Sequence, residues 1–212
     1  MQYIKLIAID KYITFRSIGL VMLWIGYFLP WIPHEAAALN MGAYDLSNWV
    51  MLLPEVQKEG IAIGRMNFLM IMALIVLLSF ELTLQGGFSQ LWWIFVCLGI
   101  LIMIPSYPSI MFFRTDTSVI WQILLIVVTL FLMIVLWLVR NWRFLRLLQG
   151  FFALLIGLAC LLPFLLMRHI LNDYYGSIPD IGVGWYVTLL GLLFVVCSGI
   201  VNYLYTTYAL EK

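Results

Sequence analysis

The chain has 212 residues, of which 65% are hydrophobic and only 10% charged. A soluble domain carries about 25% charge, so a single soluble core cannot hold this apolar surplus, and lipid is expected to solvate the outside. The formal net charge of +1 provides no field for nucleic acid, and no such partner is expected.

Four long runs carry no formal charge. They are the 32 residues between Glu81 and Arg114, the 30 between Asp180 and Glu211, the 23 between Asp116 and Arg140 and the 21 between Arg146 and Arg168. About 20 apolar residues in helix cross a hydrocarbon layer about 30 Å thick. The pattern predicts an all-α, polytopic membrane protein with one transmembrane domain over 1–212. Six spans are expected in three hairpins, at about 14–32, 64–84, 88–104, 118–139, 144–167 and 184–205.

The first span follows Lys5, Lys11 and Arg16 and ends at the breaker Pro30-Trp31-Ile32-Pro33. Ala36-Ala37-Ala38 gives it some likeness to a signal peptide, but it is expected to stay as an anchor helix. The first outer loop follows, from Pro33 to Ile63. Within it Leu46, Trp49, Val50 and Leu53 recur at i, i+3, i+4 and i+7, with Asp45 placed to cap and Pro54 to stop. This spacing predicts a short interfacial helix. Its apolar face would either cover the protein's own helices or dock another subunit.

The second span contains Glu81, about one turn from its inner end. An ionisable residue inside a span is a functional candidate. Near a helix end it is better read as an inner-side ion pair with Arg16, Arg140, Arg143 or Arg146. Gln85-Gly86-Gly87 then turns the chain into the third span, which Pro105 and Pro108 close. The fourth span is Leu, Ile and Val nearly all round, with Gln122 and Thr129 its main polar residues. Such a helix suits lipid, pigment tails or another apolar helix.

Arg140-Asn141-Trp142-Arg143 leads into the fifth span, where Pro163 is expected near the outer end. Small residues let membrane helices approach closely. Gly150 and Gly157 in the fifth span and Gly184, Thr188, Gly191 and Ser198 in the sixth form such stripes, so these two helices are expected to pack on each other.

Orientation rests on clustered Lys and Arg near span ends. Six cations fall on the side of the termini, or seven with Lys212, and four (Lys58, Arg65, Arg114, Arg168) fall on the other. Both termini are therefore expected to be cytoplasmic, in a bacterial plasma membrane. Tyr27, Trp31, Trp121 and Trp185 are expected at the outer headgroup level, and Trp92, Trp93, Trp137 and Trp142 at the inner one.

Catalytic signatures do not appear. Ser79 and Ser198 have no histidine at span depth to activate them, and there is no HExxH, GxSxG or Walker motif. Cys97, Cys160 and Cys197 lack CxxC spacing and read as small buried hydrophobes. His34 and His169 lie just outside spans on the outer side. They are the candidates for a peripheral pigment or metal, although the sequence requires no cofactor beyond lipid. The leading expectation is a non-catalytic integral subunit of a photosynthetic, respiratory or transport complex, with other transmembrane subunits and the bilayer as partners. The alternative is a small-solute or lipid transporter, or its membrane substrate-binding subunit, with a cavity lined by Asn67, Gln122, Gln149 and Asn202. In size and topology the pattern resembles the substrate-binding subunits of energy-coupling-factor vitamin transporters. Where those carry an Ala-xxx-Ala face in the first helix, this chain has Gly19 and Gly26.

Overall fold

The computed structural model describes residues 2–34, 40–53, 63–85, 89–105, 117–140, 145–172 and 176–208, with side chains for all of these except 2–11, 89, 145–147 and 205–208. Among the described residues seven α-helices follow one another: α1 (Gln2–Phe28), α2 (Ala43–Trp49, continued by a 3-10 turn at Val50–Leu52), α3 (Arg65–Leu84), α4 (Ser89–Met103), α5 (Thr117–Leu138), α6 (Leu145–Ile170) and α7 (Val183–Tyr208). No strand occurs among the described residues; Ile32 and Met41 form one isolated antiparallel bridge.

Among the described residues four helices are long and apolar enough to cross a membrane: α3, α5, α6 and α7. The apolar stretches Tyr12–Phe28 of α1 and Gln90–Met103 of α4 are shorter. The helix bounds differ from the sequence expectation chiefly in α1. It begins at Gln2 rather than near Thr14, and it ends at Phe28 because Pro30 has no N–H to continue the ladder. The Pro30–Pro33 breaker therefore lies wholly beyond the helix.

The core is built around α3, which packs against α1, α2, α4, α5 and α6. The closest pairing is between α1 and α7, and α6 packs on α7 from the other side. The ends of the bundle are distinct. At one, Arg16, Glu81, Gln149 and Ser198 meet. At the other, Trp31 is fully buried among Phe68 and Phe164, with ring centroids 6.1 and 5.1 Å away.

Trp31 and Tyr27, expected at a headgroup border, are both fully buried, and Trp92 is 7% exposed. The reason for Trp31 is local. Chain segments from two loops converge on it: Trp31 N–H and Ile32 N–H both donate to Met41 O (2.8 and 3.1 Å), while Gly182 N–H donates to Trp31 O (2.7 Å). This indole is a core residue of the Trp31 end.

The short helix α2 does form between α1 and α3. Leu46, Val50 and Leu53 are buried, Trp49 is half-buried, and the face packs mainly on α3 and also on α1. Its apolar stripe thus covers the protein's own helices. The opposite face, with Tyr44 and Asn48, is exposed. Asp45 Oδ2 accepts from Gly42 N–H at 3.0 Å, which closes the first turn.

Prolines and their orphaned carbonyls explain two further contacts. A proline inside a helix leaves the carbonyl four residues earlier without its N–H. Pro163 lies within α6, not at its outer end, and the helix continues seven residues past it to Ile170. The carbonyl left unpaired is that of Ala159, and Asn67 Nδ2 of α3 donates to it at 2.9 Å. Pro30 leaves the Gly26 carbonyl unpaired in the same way, and Trp31 Nε1 donates to it at 2.9 Å. In a bilayer no water is on hand for such groups, so side chains of neighbouring residues must serve.

Candidate functional site

At the Arg16 end, four helices contribute to one buried polar cluster. Arg16 of α1 has no exposed surface, and Glu81 of α3 is 5% exposed. Arg16 Nη2 lies 2.5 Å from Glu81 Oε2 and also donates to Gln149 Oε1 of α6 at 3.0 Å. Arg16 Nη1 reaches Ser198 Oγ of α7 at 3.4 Å. Glu81 Oε1 accepts from Tyr12 Oη at 2.5 Å and from Gln85 Nε2 at 2.9 Å. The guanidinium carbon stands 5.4 Å from the Tyr12 ring centroid.

The cluster is assembled from helical neighbours. Residues four apart lie one turn apart on the same face. Tyr12 and Arg16 are such a pair on α1, Glu81 and Gln85 on α3, and Ser198 and Asn202 on α7, both buried. Each helix thus brings two groups, or one in the case of Gln149, to the same level. The Coulombic attraction of a buried pair repays its desolvation only when the remaining lone pairs and protons are also bonded. Both Glu81 oxygens and both terminal nitrogens of Arg16 have partners. Arg16 Nε and Gln85 Oε1 are buried without a hydrogen-bond partner among the described residues.

Close approach of α1 and α7 makes this possible. A Cβ added to Gly19 would stand 2.9 Å from Gly191 O, and one added to Gly191 would stand 2.9 Å from Gly19 O. At Gly26 an added Cβ would meet Thr188 Oγ1 at 2.5 Å. Backbone therefore touches backbone, and the long Arg16 side chain can reach across to α7.

The structure sets the Gly184–Thr188–Gly191–Ser198 stripe of α7 against α1. α6 meets a different face of α7: Gly150 is opposite Val196 and Gly199, and Gly157 is opposite Leu192. The two helices do pack together, but through another set of residues on α7. A sequence signal for the α1 contact existed. Gly19 and Gly26 are seven apart, and so are Gly184 and Gly191.

Of the four cations named for Glu81, Arg16 is the one at hydrogen-bond distance among the described side chains. Arg140 is exposed at the end of α5. Arg143 lies outside the described residues, as does the side chain of Arg146. Sequence reasoning missed Tyr12 and Gln85. The i, i+4 spacing to Arg16 and Glu81 was the signal that pointed to them.

The Trp31 end carries a second polar set. Arg65 Nη1 donates to Gln122 Oε1 at 2.9 Å, and Arg65 Nε reaches Ser47 O at 3.3 Å. Gln122 Nε2 donates to Met103 O at 2.8 Å, serving one of the carbonyls that the end of α4 leaves open. These bonds tie α2, α3, α4 and α5 together. The four amides therefore lie at two levels. Asn67 and Gln122 are near one end of α3, while Gln149 meets Arg16 near the other and Asn202 lies one turn from Ser198. The 14 residues from Asn67 to Glu81 correspond to about 21 Å of helix.

His34 and His169 are both exposed. His34 N–H donates to Asn40 Oδ1 at 2.6 Å between α1 and α2, and His169 is in the last turn of α6. Among the described residues, no three or more His, Cys, Asp or Glu side chains gather as a metal site. Cys160 is buried, whereas Cys97 and Cys197 are exposed on apolar helices.

No family model, no curated protein and no solved structure matches this chain. The functional reading therefore stands on the residues alone.

Proposed function

We propose that this chain is a non-catalytic integral subunit of a larger membrane assembly of photosynthetic, respiratory or transport type. It crosses a bacterial plasma membrane six times, as three hairpins with both termini cytoplasmic. The observation that carries this reading is α5. Its most apolar window has the highest hydropathy of the four long helices, 3.0, and only 22% of that window is buried. It holds to α3 through a single stripe of Val119, Gln122, Thr129 and Met133. The rest of its surface, including Leu124, Val127 and Phe131, is a broad apolar face for a neighbouring helix.

A photo-crosslinking residue at Val127 or Phe131, activated in native membranes, tests this. A discrete adduct with another membrane polypeptide is expected. A chain that crosslinks to lipid alone, and leaves mild detergent as a homogeneous monomer with nothing co-purifying, would overturn the reading.

A second reading, a small-solute or lipid transporter or its membrane substrate-binding subunit, draws support from the buried Arg16–Glu81 pair. Ionisable groups within spans often mark transport pathways. Uptake by proteoliposomes that survives in the Glu81→Gln variant, with the fold intact, would remove that support.

A further inference from the structure

A cleft of about 250 Å³ opens between α3, α5 and α6 in the half of the bundle nearer Arg16. Its walls include Leu74 and Leu78 of α3, Leu136 and Val139 of α5, and Phe152 and Ile156 of α6. The gap exists because α5 packs along α3 while α6 packs along α3 and α7, which leaves α5 and α6 splayed. Among the described residues Gln149 is the one polar side chain of the lining, and it lies at the interface end of the cleft, where it meets Arg16.

The shape has a direction. On α5 the lining runs from Leu132 to Val139, about 11 Å of helix, and on α6 from Ile156 back to Leu148, about 12 Å. On α5 the lining stops at Val139, directly after the helix ends at Leu138. Arg140, exposed, comes directly after Val139, and Arg143 and Arg146 follow within six residues of sequence. Water would find too few polar partners in such a cleft. A hydrocarbon chain lying along the helices would restore the missing dispersion contacts. A cation at the mouth adds attraction for an anionic headgroup.

We propose that this cleft is a binding site for one acyl chain of an anionic glycerophospholipid, with its phosphate held at the level of Arg140. The lipid stands upright in the leaflet on the Arg16 side and fills the wedge between α5 and α6. This inference does not depend on the subunit reading, since it concerns lipid and not a protein partner.

The test uses the full chain, delipidated in detergent and then mixed with phosphatidylglycerol or phosphatidylcholine. Native mass spectrometry counts the lipid retained, and thermal unfolding checks the fold. Wild type is expected to retain one phosphatidylglycerol in preference to phosphatidylcholine. Ile156→Trp and Leu136→Trp fill the cleft from opposite walls, and each is expected to cut retention of both lipids severalfold. Arg140→Gln alters an exposed side chain, so the fold should be unaffected; it is expected to lower the phosphatidylglycerol preference about fivefold. Folded tryptophan variants that keep wild-type retention would overturn the site. An Arg140→Gln protein with undiminished preference would overturn the headgroup assignment, even if the tryptophan variants did not fold.

Discussion

α3 and α5 are both long and apolar enough to cross a membrane, yet their surroundings are opposite. The less apolar of the two, α3, has a window hydropathy of 2.1 and is 72% buried, whereas α5 has 3.0 and is 22% buried. In water the ranking would be reversed, because apolar area is driven inward. In a bilayer lipid tails are as apolar as leucine, so hydropathy does not select the core. Hydrogen bonds and close packing do. α3 carries Arg65, Asn67, Ser79 and Glu81, three of which reach other helices or loops, and these bonds draw it to the centre.

The largest expected effect breaks α3's hold on the centre. Glu81→Leu leaves Arg16 buried and unpaired, which costs about 3–5 kcal/mol. The Arg16→Met/Glu81→Leu double variant should recover much of that loss, as read by thermal unfolding in detergent. If the double variant is no better than the single one, Glu81 acts through something other than Arg16.

Next in size is Gly191→Leu, which forces a side chain into the backbone contact with Gly19. Overpacking of this kind costs about 1–3 kcal/mol, and Gly150→Ala should cost far less. The added Cβ at Gly150 stands 3.6 Å from Val196 O, an ordinary contact distance. Equal melting of the two variants would show that α1 and α7 are not the tighter pair.

Asn67→Leu should destabilise by about 1–3 kcal/mol, because it leaves the exposed Ala159 carbonyl unbonded where a bilayer offers no water. Pro163→Ala restores the backbone donor. Combined with Asn67→Leu it should recover stability, although Pro163→Ala alone need not improve the protein. A double variant no more stable than Asn67→Leu would disconnect the two residues.

The smallest effect belongs to α5. Val127→Leu on the exposed face should shift stability by no more than about 0.5 kcal/mol. A clear loss of stability there would mean that the face is packed, which would weaken the contrast with α3.

The residues show why some of this was legible in the sequence. Spanning helices are legible because uncharged length is a one-dimensional property. Glu81 was legible because a lone acid in an apolar run demands a cation, although the choice of Arg16 over three other arginines required the fold. The partner of a glycine stripe is hardly legible at all, since smallness permits approach without naming the neighbour. The burial of Trp31 was hidden for another reason. Two loops distant in sequence close over it, and a window that reads only the local chain assigns it to the headgroup border.

Biogenesis gives the Asn67–Ala159 contact a further meaning. A polypeptide enters the membrane from its N-terminus onward. When Ala159 and Pro163 emerge, α6 brings an unsatisfied carbonyl into hydrocarbon, a burden that few hydrogen-bond-free environments tolerate. Asn67 was made nearly a hundred residues earlier and already waits in α3. The donor precedes the acceptor, so α6 is expected to dock on α3 as it leaves the insertion machinery, before α7 arrives to lock α1 into place.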